Sequence, residues 1–249
     1  MASGGMFENA RAMAEPKEVP QAALDGHTLV AHELVKDYGD GLGVQGVNLV
    51  IDAGDVVMLV GPNGAGKSTF LGVCAGLIEP NEGGVWVNAH QSGTLGARAA
   101  TTYIPDQPVL YDDLSVNEHL AYIAKIHGTE GWDEYADDLL EMFRLTDRAD
   151  DLPSRFSRGL RQKTALLCGL IRPFDVILID EPFAGLDRPA QETLVSVMAD
   201  IASDGAAVIC STHQLDLIEV ATRCVGLQDG KVVYDGNASE KKIRDLTSG

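Results

Sequence analysis

Nine residues constrain this chain most. They read Gly61-Pro62-Asn63-Gly64-Ala65-Gly66-Lys67-Ser68-Thr69. Before them stands an uninterrupted apolar run, Val56-Val57-Met58-Leu59-Val60, and after them Phe70, Leu71, Val73, Cys74 and Leu77 recur at helical spacing. A short apolar run bounded by turn residues is a buried strand, and the later spacing is a helix. Strand, glycine-rich turn and helix in that order is the context of a phosphate-binding loop of the form G-x-x-x-x-G-K-[ST]. Glycines let the backbone turn with no Cβ in the way. The turn gathers amide N–H groups into an anion nest at the positive end of the helix dipole. Lys67 is placed to reach the β- and γ-phosphates of a nucleotide, and the Ser68 hydroxyl to meet Mg²⁺.

The rest of the chain reads as an α/β core. Strands are expected over 29–36, 47–51, 55–60, 83–88, 102–105, 175–180, 206–210, 224–228 and 232–234. The last two flank Asp229-Gly230, a type I′ hairpin signal. Between 107 and 157 the texture is helical. Ser115-Val116-Asn117-Glu118 is a capping box, and Val116, Leu120, Ala124 and His127 mark one face. A second helix over 133–144 aligns Tyr135, Leu139 and Phe143, and its acidic residues form a solvated face. A third begins near Gly159, further helices are expected over 189–203 and 215–222, and a short polar helix after the last strand. Residues 1–25 are small, polar and aperiodic, which predicts a mobile tail. The remainder, 26–249, reads as one unit with a helical subdomain at about 107–157.

A phosphate loop alone leaves kinases, GTPases and many ATPases open. The second half narrows the choice. Val176-Ile177-Leu178-Ile179-Asp180-Glu181 is a buried parallel strand ending in two acids, and function sits at the C-terminal ends of such strands. Asp180 is placed to hold Mg²⁺, directly or through water. Glu181 is placed as general base or orienter for the attacking water.

Composition agrees and excludes some classes. Net charge is −18 and 45% of the 249 residues are hydrophobic. Such acidity disfavours nucleic acid and anionic lipid, which demand clustered cations. No apolar run approaches the roughly 18 residues of a membrane span, and the N-terminus lacks a signal-peptide core. A soluble intracellular protein is expected. Cys74, Cys168, Cys210 and Cys224 are widely spaced within apolar stretches, so they read as small buried hydrophobes in a reducing compartment.

The segment Phe156-Ser157-Arg158-Gly159-Leu160-Arg161-Gln162-Lys163 resembles the signature motif of the ATP-binding-cassette (ABC) ATPase family, in an exporter-type form. The likeness covers about residues 27–236. It implies a P-loop NTPase core with an antiparallel β subdomain and a helical subdomain. It implies that Ser157, Arg158, Gly159 and Gln162 meet the ATP held by a second cassette subunit. Gly185-Leu186-Asp187 is similar to the D-loop, with Asp187 at the dimer interface. His213 matches the switch histidine at the γ-phosphate, and Tyr38 the aromatic that stacks on adenine. Where the family has a Gln after a strand-Pro pair, this chain has Ile104-Pro105-Asp106-Gln107. Either Asp106 substitutes or Gln107 takes the role toward Mg²⁺. Arg158 likewise departs from the family's usual double glycine.

The resemblance therefore implies ATP hydrolysis with Mg²⁺ as cofactor, catalysed through Glu181, His213 and Lys67. It implies a separate transmembrane permease, a second cassette in a homo- or heterodimer, export, and a place on the inner face of the membrane. The competing readings are a non-transport cassette in translation or DNA repair and a nucleotide-gated scaffold. The first usually has paired cassettes or long coiled coils; the second would tolerate loss of Lys67, Glu181 or His213.

Overall fold

The computed structural model describes residues 19–39 and 41–247. Its centre is a six-stranded sheet built on β3 (Val56–Val60), β6 (Thr101–Ile104), β7 (Val176–Asp180), β8 (Ala207–Ser211), β9 (Arg223–Gln228) and β10 (Lys231–Gly236). The order is β10-β9-β3-β8-β7-β6, parallel except for the β9–β10 hairpin. Asp229 and Gly230 in that hairpin both have positive φ, 49° and 74°, as a type I′ turn requires.

Continuous apolar runs make sense because both faces of this sheet are covered. Val56, Met58 and Val60 point into one core with Ile177, Ile179, Val208 and Cys210. Val57 and Leu59 point into the other with Val176, Leu178, Ala207 and Ile209. The first core is roofed by α4 (Val116–His127), α5 (Trp132–Met142), α6 (Arg158–Leu170) and α7 (Arg188–Ser203). The second holds α2 (Lys67–Cys74) and a four-stranded antiparallel sheet, ordered β2-β1-β4-β5. Its strands are β1 (Leu29–Asp37), β2 (Gly43–Ile51), β4 (Glu82–Val87) and β5 (His90–Gln91).

The helical segment follows its local chemistry. Ser115 accepts from the Glu118 amide while Glu118 accepts from the Ser115 amide, so both halves of the capping box form. Val116, Leu120 and Ala124 are fully buried, but His127 is exposed. In α5 the buried stripe is Ala136, Leu139 and Leu140, continued by Phe143, whereas Tyr135 is 42% exposed. The acidic face, Asp133, Glu134, Asp137, Asp138 and Glu141, lies in solvent.

Other elements differ from the sequence reading. Helix α3 (Leu95–Ala100) was not signalled; its six residues carry no apolar period, and Thr94 caps it by accepting from the Ala97 amide. Segment Leu215–Glu219 is a 3-10 turn rather than a helix to residue 222, and no side chain caps its start. Of the expected N-terminal tail, residues 1–18 lie outside the described residues. Gln21–Leu24 form one helical turn, α1, which sets Ala23 against Val30 and Trp86. The short polar helix expected at the other end is present as α8 (Glu240–Thr247), and it buries Ile243.

Candidate functional site

The site is assembled from the C-terminal ends of neighbouring parallel strands. β3 delivers the glycine-rich loop, and α2 leaves it at Lys67. Gly66, the N-cap of α2, is left-handed with φ +99°. A Cβ there would also stand 2.3 Å from the Gly43 carbonyl oxygen at the start of β2. Only glycine satisfies both the left-handed backbone and the close approach. The Lys67 ammonium is buried and donates to the carbonyls of Gly61 (2.8 Å) and Pro62 (3.3 Å). A cleft of about 400 Å³ opens over this loop. Asn63, Gly64, Ala65, Gly66, Lys67, Ser68 and Thr69 form its floor, Tyr38, Leu42 and Gly43 one wall, and Asp106, Asp180 and Glu181 the other.

β8 lies between β3 and β7, so its last residue can brace the acids. The Ser211 hydroxyl donates to the Asp180 carboxylate, which is only 3% exposed. The Glu181 amide donates to the Ser211 carbonyl (3.0 Å) and hydroxyl (3.1 Å). These bonds hold Glu181 at a φ of +46°, a conformation that costs a non-glycine residue about 1 kcal/mol or more and recurs where a side chain must be aimed. Ser211 is a site residue that motif reading passed over. A polar residue closing an apolar strand was its only signal.

His213, just beyond β8, places Nδ1 3.2 Å from Glu181 Oε2. It lines an adjoining cleft with Gly61, Pro62, Asn63 and Lys67. Burial pushes the Glu181 carboxyl above its ordinary range, and the nearby His213 and Lys67 charges pull it back. Burial, then the charges of Asp180 and Asp106, push the Tyr103 phenol up to about 12, so it stays neutral beside them. Oxygen donors dominate: Ser68, Asp180 and Asp106. Among the described residues no three His, Cys, Asp or Glu side chains converge as a closed metal cage. A buried, pre-oriented carboxylate plus a hydroxyl beside a phosphate cradle suits Mg²⁺, which takes one or two carboxylates and relies on phosphates for the rest.

Tyr38 stands 56% exposed at the cleft mouth. Of the two candidates after Pro105, Asp106 turns into the cleft and Gln107 is exposed outside it. The chain bends at these residues, and Gln107 does not line the cleft. The signature residues do not line their own subunit's cleft. Ser157 is exposed and caps α6, accepting from the Leu160 amide at 3.4 Å. A Cβ on Gly159 would lie 2.4 Å from the Gly185 carbonyl. Gln162 was expected at the ATP-facing surface. It is 1% exposed inside α6, and neither amide atom has a hydrogen-bond partner among the described residues. Its helical position, five residues past the cap, turns it inward. Asp187 caps α7 through the Ala190 amide and pairs with the buried Lys163 at 3.2 Å. The Ala190 amide, then Lys163, hold its carboxyl below the usual range.

Fold and cleft together define a P-loop cassette that binds and hydrolyses nucleotide. Residues 44–184, more than half of the chain, match the family model described as ABC transporter. The chain is 35% identical over 202 residues to the ABC-type transporter ATP-binding protein EcsA of Bacillus subtilis, covering 79% of this chain and 82% of that one. It is 32% identical over 205 residues to the SkfA peptide export ATP-binding protein SkfE of the same organism, covering 81% and 86%. A solved structure described as the ATP binding subunit of an ABC transporter superposes with a TM-score of 0.80 at 33% identity, covering 88% of this chain and 92% of that one. The chain belongs to the ABC transporter family as an ATP-binding, ATP-hydrolysing subunit.

Proposed function

We propose that two such cassettes sandwich ATP, each nucleotide held by the cradle of one and the α6 start of the other, and that the cycle drives export through a separate permease. The single observation that carries this is that Lys67, Asp180 and Glu181 line one cleft, with His213 against Glu181 from the adjoining one, while Ser157 is exposed at the start of α6 and lines neither. A second ligand-facing helix start that its own cleft does not use calls for a nucleotide brought by another subunit. In this reading passage through the membrane falls to the separate permease, and this subunit sits against it at the inner membrane face; among the described residues no helix is long and apolar enough to cross a membrane. The name of SkfE as a peptide export protein supports the export direction.

In this reading Tyr38 stacks on the base and the loop amides and Lys67 hold the β- and γ-phosphates. Ser68 and Asp180 would hold Mg²⁺, with Asp106 at its edge; when bound, the ion neutralises charge on the phosphate oxygens. Glu181 takes a proton from a water that attacks the γ-phosphorus, the bond to the β-phosphate oxygen breaks, and ADP and phosphate leave. His213 orients Glu181. Hydrolysis removes what bridges the two subunits, and the helices at 107–157 pass the opening to the permease.

The test is Glu181→Gln, which keeps size and hydrogen bonding but not basicity. ATP binding should persist and turnover fall by ~10²–10⁴-fold. Turnover within a few fold of the wild type rejects the assignment.

A further inference from the structure

The two places where this chain departs from the family pattern touch each other. Arg158 Nη2 donates to Asp106 Oδ1 at 3.1 Å, across 52 residues of sequence. Asp106 follows β6 and lines the nucleotide cleft. Arg158 is the first residue of α6, next to Ser157. We infer that Arg158 is a positioning residue that acts through Asp106: it holds that carboxylate at the cleft edge and ties the signature start of α6 to the nucleotide bound in its own subunit. The inference rests on the two-cassette reading above, because only there does Ser157 serve the other subunit's ATP.

Charge argues for the pair. A lone carboxylate at a triphosphate site repels its ligand, and a guanidinium within hydrogen-bond distance offsets that repulsion. Geometry argues for the coupling. The start of α6 is otherwise fastened to the loop after β7, by the Gly159–Gly185 approach and by the Lys163–Asp187 pair. The Asp106–Arg158 bond adds the loop after β6, so α6 is joined to both acid-bearing strand ends. A change at the cleft that draws Asp106 toward the metal must be felt at Arg158, one residue from Ser157. Both partners are well exposed, at 61% and 39% of their side chains, so the effect is small and sensitive to salt.

The experiment is a double-mutant cycle on the purified full chain, reading KM for MgATP and kcat at low and high NaCl. Arg158→Gln should raise KM about two- to fivefold, with a smaller change in kcat, and Arg158→Lys should recover most of it. The wild-type advantage over Arg158→Gln should shrink at high salt. The Asp106→Asn/Arg158→Gln double variant should be no worse than Asp106→Asn alone. If the two single effects instead multiply, or if Arg158→Gln leaves KM unchanged, the inference is overturned. Unaltered melting of Arg158→Gln separates positioning from folding. ATP-dependent dimerisation of the Glu181→Gln chain, read by gel filtration and lost in Ser157→Arg, tests the two-cassette reading independently, so a failure of the cycle beside a dimer that forms falls on the ion pair alone.

Discussion

His213 Nδ1 lies 3.2 Å from Glu181 Oε2, although the two residues leave different strands. The contact depends on Ser211, whose hydroxyl and carbonyl fix the Glu181 backbone two residues before His213. Glu181 is thereby aimed from its own strand and from its neighbour. Replacing His213 by Ala should lower kcat by ~10²-fold with little change in KM, because an orienting contact matters most in the transition state. The Glu181→Gln/His213→Ala pair should be no slower than Glu181→Gln alone. Steady-state phosphate release checks both, and strictly multiplicative losses would show that His213 acts apart from Glu181.

Gly159 offers a prediction that runs against helix propensity. Alanine inside a helix is favoured over glycine by about 1 kcal/mol. Here its Cβ would stand 2.4 Å from the Gly185 carbonyl, which is backbone and cannot swing aside. Overpacking of that kind costs about 1–3 kcal/mol. Gly159→Ala should therefore bring no gain in melting temperature, and it should reduce hydrolysis while leaving ATP binding to the cleft intact. Calorimetry beside a nucleotide-binding titration decides it; a stabilised, fully active variant would contradict the packing argument.

How much of this was visible in the sequence depends on how local the cause was. The loop, its strand and β7 were legible because parallel strands covered on both faces leave unbroken apolar runs, as at 56–60 and 176–180. The capping box at Ser115 was legible because it needs only four residues. Tyr135 was misread because steps of four advance 400° around a helix, so over 135, 139 and 143 the row drifts about 80° off one face. Helix α3 has no period to read. Gln162 belonged to a motif yet faces inward, since a motif names neighbours in sequence while the helix decides which of them share a face. The pairing of Asp106 with Arg158 had no local trace; it exists only once β6 and α6 are folded together.

His119 was overlooked beside His127, yet it is the structural histidine of α4. It is 2% exposed, with Nδ1 2.8 Å from the Ser115 carbonyl and Nε2 accepting from the Tyr111 amide at 2.9 Å. One ring therefore satisfies two backbone groups and joins the cap of α4 to the segment that follows Asp106. His119→Ala should strand the Tyr111 amide, while the Ser115 carbonyl keeps its helical bond from the residue 119 amide (3.0 Å), and lower stability by about 1–3 kcal/mol. The urea midpoint should fall at unchanged slope. An unshifted midpoint would mean that water or a rearranged loop replaces the ring at no cost.

The four cysteines should be silent until the chain unfolds. All are free, and Cys74, Cys210 and Cys224 are buried. Burial pushes every thiol up: Cys168 to about 12, Cys224 to about 11, and Cys74 and Cys210 further still. The thiolate is the reactive form. At pH 8 a thiol raised to about 11 is ionised about one part in a thousand, against roughly a quarter for an ordinary thiol near 8.5. Native protein should take up iodoacetamide at well under a hundredth of the rate seen in urea, where all four sites label, as intact mass will show. Rapid single labelling of the native chain would identify a thiol exposed by local opening, and Cys168, the one that is only partly buried, is where that opening would begin.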